Sequence, residues 1–265
     1  MESTDTAVVP SRRGLLVPVA NPDGVAPLLA VAFAANAPDD PPTNVMAFVR
    51  EHGGQDLAHP PALLAAVEYA ATRGVPIAPQ TVWSSNAGAD IVVAARNANA
   101  GWILVGYHRA ASGQDTMGGV VRDVFVHART EPVHVGVFIQ GTDQPFERIY
   151  AAVDSGRDGR AALDLAVRIT RSSNAKMRAL LVSSTVSQPA EQDEVADLLR
   201  DARRSLGRRF HSDVLSERSI EGLLHQTPGR LLIVGKKLAD EIRLPLGEAP
   251  GADRCMIVVQ GGISA

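Results

Sequence analysis

Trp102-Ile-Leu-Val-Gly106 (WILVG) decides the fold class. Five consecutive residues without a polar side chain, running from Gly101 into Gly106, are too few for a helix and too uniform for a half-exposed strand. Such a run suits a strand covered on both faces, the usual condition in a parallel sheet. Leu231-Leu-Ile-Val-Gly235 (LLIVG) echoes it. The two copies stand roughly 130 residues apart, a spacing that marks a duplicated domain rather than a solenoid.

Outward from WILVG, strands and helices alternate. Leu15–Ala20 reads as a strand ending in the turn Asn21-Pro22-Asp23-Gly24, with a helix then running to Asn36. Asn44–Val49 and Pro76–Trp83 are further strands. Pro61 to Arg73 is a helix stopped by Gly74, and Gly88 to Asn99 is another. Gly118 to Ala128 is helical, and Val133–Ile139 is a fifth strand. The second half repeats the order, with strands at Arg148–Asp154, Met177–Ser183, Phe210–Ser216, Leu231–Gly235 and Arg254–Gln260. Helices over Ala161–Arg171 and Glu191–Leu206 lie between them.

This alternation predicts an α/β protein of two tandem sandwich units, each an open, mostly parallel, five-stranded sheet between helices. Residues 1–13 read as a disordered leader, 14–140 as the first unit and 148–265 as a second, degenerate one. The halves are expected to superpose strand for strand about a pseudo-twofold axis, with no continuous sheet running through both. Their fifth strands, Val133–Ile139 and Cys255–Gln260, are expected to pair and cover two open edges.

Composition narrows the function. Hydrophobic residues make up 45% and charged residues 21% of the chain, which supports two cored domains. A formal net charge of −3 argues against a general nucleic-acid binder. Cys255, the single cysteine, allows no disulfide within the chain and fits a cytoplasmic setting. No apolar run reaches the roughly 18–20 residues of a membrane span, so no direct membrane insertion is expected. The seven histidines lack metal-ligand spacing, and no metal site is expected. Ser84-Ser85 and Ser183-Ser184 lack the glycine frame of a nucleophile elbow and read as caps or turns. Arg200-Asp-Ala-Arg-Arg204 reads as a solvated helix face, with a partner-binding patch as the alternative.

The chemistry-bearing segment follows WILVG. Gly106-Tyr-His-Arg109, nine further residues, then Gly119-Val120 lead from a strand into a helix. Open parallel sheets bind ligands beyond the carboxyl ends of their strands. Free N–H groups at a helix start attract phosphate, and glycines let backbone approach a ligand closely. Gly113, Gly118 and Gly119 supply such glycines, while His108 and Arg109 supply phosphate partners.

That segment resembles the phosphate loop of ATP-binding universal stress proteins. Those carry Gly, two residues, Gly, nine residues, then Gly and Ser or Thr after the fourth strand. Here Gly106 and Gly119 keep register, but Arg109 replaces the second glycine and Val120 the hydroxyl residue. The family's aspartate at the end of the first strand is absent from Ala20-Asn21 and present as Asp154 in the second half. There the fourth strand runs into Gly235-Lys236-Lys237, without a glycine loop and with a fourth helix shortened or lost. Leu16-Val-Pro-Val-Ala-Asn-Pro22 and Gly106-Tyr-His-Arg109 are also similar to the cytoplasmic tails of cation/proton antiporters.

The resemblance implies a non-enzymatic cytoplasmic regulatory or sensor module that binds an adenine nucleotide and is linked to cation transport. Its partner would be a membrane cation transporter, met at the inner face of the membrane; a homodimer is also left open. The implied site takes in Ala20, Asn21, Phe48, Val49, Gly106, His108, Arg109, Gly113, Gly118, Gly119 and Val120. AMP, ATP and a cyclic nucleotide stand as candidate ligands, the lost hydroxyl weighing against three phosphates. Two alternatives remain: a free-standing tandem stress protein that binds or slowly hydrolyses ATP, and a structural assembly module that binds nothing.

Overall fold

The computed structural model describes residues 14–49, 60–107, 119–139, 143–182, 189–215, 229–241 and 255–263. The expected leader lies outside them. The first half contains β1 (Leu15–Val19), α1 (Val25–Ala35), β2 (Thr43–Val49), α2 (Pro61–Arg73), β3 (Ile77–Trp83), α3 (Ala87–Asn97), β4 (Trp102–Gly106), α4 (Gly119–Ala128) and β5 (His134–Ile139). The second contains β6 (Arg148–Val153), α5 (Arg157–Ser172), β7 (Lys176–Val182), α6 (Pro189–Leu206), β8 (Phe210–Leu215), β9 (Arg230–Gly235), a short α7 (Lys236–Glu241) and β10 (Cys255–Gln260).

Local chemistry sets the boundaries. Asn21 accepts the Asp23 N–H at 3.2 Å and turns the chain from β1 into α1. Asn86 caps α3 by accepting from Ala89 N. Gly74 ends α2 at φ 64°, a left-handed conformation that costs glycine least.

All ten strands form one sheet in the order β3-β2-β1-β4-β5-β10-β9-β6-β7-β8. Every neighbouring pair is parallel except β5–β10. The expected pairing of the fifth strands is therefore observed. The expectation that no continuous sheet would cross both halves is corrected, and for a physical reason. Two edge strands that satisfy each other's backbone groups fuse their sheets into one.

Within that sheet the second half repeats the first in order and register. Leu16 faces Asn44, and Tyr150 faces Arg178 in the matching ladder. Ile103 faces Leu16, and Leu232 faces Tyr150. Asn44 faces Ala78, as Arg178 faces His211.

Period-two alternation splits the side chains into two layers. Leu15, Val17 and Val19 face one layer with α1, α2, α5 and α6. Leu16 faces the other with α3, α4 and α7. The first layer is a single cluster spanning both halves, because α1 packs directly on α5. Arg168 of α5 lies 3.3 Å from Asp40, whose side chain is only 7% exposed, and the Ser172 hydroxyl donates to the Ala34 carbonyl. On the other layer, Lys236 of α7 lies 5.8 Å from the ring centre of Phe125 in α4. Among the described residues, no helix is long and apolar enough to cross a membrane.

Candidate functional site

β1 and β4 are neighbours in the middle of the first-half sheet, and both end at the same crevice. The turn Asn21–Gly24 carries the chain away from one side of it, while Gly106 and Tyr107 form the other. A cavity of about 260 Å³ lies between them. Val19, Val25, Leu28 and Phe138 give it apolar surface. Asp23 is the one charged residue among those described around it. The Tyr107 N–H is already used, donating to the Phe138 carbonyl at 2.8 Å, which extends the β4–β5 pairing by one bond.

The structure brings Ala20, Asn21 and Gly106 together in this lining. Phe48, Val49, Gly119 and Val120 are described but lie outside it. Phe48 packs with the α3–α4 layer, since alternation along β2 sends it to the face opposite Val45 and Ala47. Gly119 and Val120 open α4 and are exposed. His108, Arg109, Gly113 and Gly118 lie outside the described residues. Tyr107 and Phe138 are lining residues that sequence reading missed. The signal for Phe138 is its place opposite Gly106, which only the β4–β5 register reveals.

Among the described residues, Asp158 packs into the equivalent place in the second half. Gly235 ends β9, and a Cβ there would lie 3.0 Å from the backbone carbonyl carbon and the Cβ of Asp158. Asp158 accepts the N–H of Lys237 at 3.1 Å and of Gly261 at 2.9 Å, tying α5 to α7 and to the chain after β10. Asp154 is buried at the end of β6 and accepts the Gly156 N–H at 2.6 Å. Burial pushes its carboxyl above the usual range, opposed by that hydrogen bond and reinforced by nearby Asp158. Gly159 is packed so closely that a Cβ would meet the Asp154 backbone nitrogen at 2.5 Å. α7 starts directly at the end of β9, and the rest of the stretch where a shortened or lost fourth helix is expected lies outside the described residues.

No protein-family model matches the chain, and no curated protein matches it. Solved structures do. A universal stress protein from Archaeoglobus fulgidus DSM 4304 matches with TM-score 0.56 and 15% identity, over 95% of this chain and 97% of that one. The cytoplasmic domain of a prokaryotic cation chloride cotransporter matches with TM-score 0.60 and 13% identity, over 94% of this chain and 96% of that one. At these identities the likeness is one of fold, and it is the fold expected from the sequence.

Proposed function

We propose that this chain is a regulatory module that binds a small ligand, an adenine nucleotide, in the first-half crevice and signals its occupancy to a membrane cation transporter. The observation that carries the reading is the inequality of the two crevices. The first is open beside Gly106, while Asp158 and α7 fill its counterpart beside Gly235. Of the two equivalent places, the one beside Gly106 is therefore the place for the nucleotide.

The transport link rests on the likeness to a cotransporter's cytoplasmic domain, and a cytoplasmic location at the inner membrane face goes with it. Apolar Val19, Val25, Leu28 and Phe138 suit a flat base. The Asp23 carboxylate suits a ribose hydroxyl or an exocyclic amine and repels phosphate. Phosphate therefore belongs on the side of the crevice away from Asp23, toward Gly106 and Tyr107. A cavity of about 260 Å³ falls just below the roughly 300–1,000 Å³ of drug-sized sites, which favours AMP or a cyclic nucleotide over ATP. Val120 lacks the hydroxyl that would hold a phosphate, so the reading is binding without turnover.

Calorimetric titration with AMP, cyclic AMP and ATP, beside thermal melts, tests this. AMP should bind below millimolar concentration and raise the melting temperature, and Ala20→Trp, which fills the crevice mouth, should abolish both effects. No binding by any of the three would favour the assembly module. Steady phosphate release from ATP would favour the free-standing stress protein.

A further inference from the structure

We propose that the junction between the two halves holds a second ligand site, for a flat organic anion, separate from the first-half crevice. The open groove there has a volume of about 800 Å³, within the roughly 300–1,000 Å³ of small-molecule sites, and shares no lining residue with the crevice. Its walls come from both halves: α1 and α2 on one side, the end of α5 and Arg209 on the other, and the segment 143–146 between them. Neither half alone makes the site.

Its chemistry is aromatic and cationic together. Phe33 and Tyr69 stack with ring centres 6.1 Å apart at 22°, giving a flat apolar wall. Three arginines, Arg73, Arg171 and Arg209, and one carboxylate, Asp143, line the groove. Arg209 is committed to the carbonyls of Thr170 and Ser173, at 2.7 and 2.6 Å, where it caps α5. Arg171 donates to the Ser205 hydroxyl at 2.6 Å and, among the described residues, pairs with no carboxylate. Arg73 lies 5.0 Å over the Tyr69 ring and 3.3 Å from Asp143. That pair is solvent-exposed, so an incoming anion displaces Asp143 at little cost. Guanidinium forks match sulfonate, carboxylate or phosphate oxygens, and the stacked rings take the flat body of the ligand.

Anilinonaphthalene sulfonate, a flat anion whose fluorescence rises on leaving water, is the probe, with neutral phenylnaphthylamine as its uncharged counterpart. The sulfonate should bind the full chain one-to-one, at least about tenfold more tightly than the neutral probe. Arg171→Gln should weaken the sulfonate about tenfold, the loss expected for one charge-assisted bond, and leave the neutral probe unchanged. Asp143→Asn should tighten it. Ala20→Trp should leave it unchanged, so failure at the junction and failure at the crevice are read separately. Arg171 is exposed, and an unchanged urea midpoint verifies that its variant is folded. Binding indifferent to both Arg171→Gln and Asp143→Asn, or no saturable binding up to millimolar probe, overturns the proposal.

Discussion

Val137 and Val258 stand directly opposite each other across the β5–β10 pair, and they occupy equivalent places in the two halves. Val137 faces Val105 in β4, and Val258 faces Val234 in β9. Val105 and Val234 each immediately precede the glycine that closes their strand. Equivalent residues paired antiparallel to each other are what a local twofold axis requires. An axis relating the two halves would pass through this valine pair.

Both valines are fully buried, and the α1–α5 layer is one cluster across the seam. The halves should consequently unfold together. Urea denaturation followed by both fluorescence and circular dichroism should show a single coincident transition. Val258→Ala should shift it by about 2 kcal/mol, for two buried methyl-sized groups and the space they leave, without splitting it. Two separated transitions would show that the seam is weaker than its register implies.

Much of this was legible in the sequence. WILVG and LLIVG marked β4 and β9 because strands buried on both faces tolerate no polar residue. The turn Asn21–Gly24 and the missing glycine loop after Gly235 were readable because turn chemistry is local. Other features were not local. Phe138 and Phe48 sit in apolar strands whose periodicity does not tell which residue reaches a crevice; register and face decide that. Asp158 reads as an ordinary acidic residue in the first turn of a helix, yet its partners are Lys237 and Gly261. The junction cavity gathers residues from Ala30 to Arg209, which only the packing of α1 on α5 brings together.

Asp158 should be a strong point of the second half. Its two oxygens satisfy one backbone N–H each, on segments that are otherwise unconnected in sequence. Asp158→Ala should cost about 2 kcal/mol, the range for a lost helix cap together with a charge-assisted bond, read from the urea midpoint. Asp158→Asn should recover part of it, since an amide offers only one accepting oxygen. A cost near zero would mean that solvent replaces both bonds and that the closure is incidental.

Asp154 should behave in the opposite sense. Burial raises its carboxyl above the ordinary 3.8, so the folded state holds this proton more tightly than the unfolded chain does. Ionising it costs stability progressively as pH rises from 3.8 through the folded value. Asp154→Asn keeps an oxygen for the Gly156 N–H and removes that cost. The variant should melt higher than the parent at pH 7, with the advantage shrinking toward pH 4. A lower melting point at pH 7 would show that the carboxylate itself holds the turn.

His134 supplies the acid-side limit of the seam. It opens β5, its ring centre lies 4.7 Å from that of Trp102, and its Nδ1 accepts the Gly262 N–H at 3.0 Å. That bond needs the neutral ring, because a protonated Nδ1 can only donate. Burial depresses the imidazole below its ordinary 6.5; Asp164 and Asp158 oppose the shift, and Arg168 reinforces it. The unfolded chain therefore binds the proton first as pH falls. The stability contributed by His134 is complete above about pH 6.5 and is lost as pH drops through that value toward the depressed one. Urea midpoints at pH 7.5 and 5.5 should show the fall in the parent protein. His134→Gln retains a carbonyl that can accept the Gly262 N–H and has no proton to gain, so the difference between its two midpoints should be smaller. If the variant falls as far as the parent, another group governs the acid limit, and the bond from Gly262 does not depend on the charge state of His134.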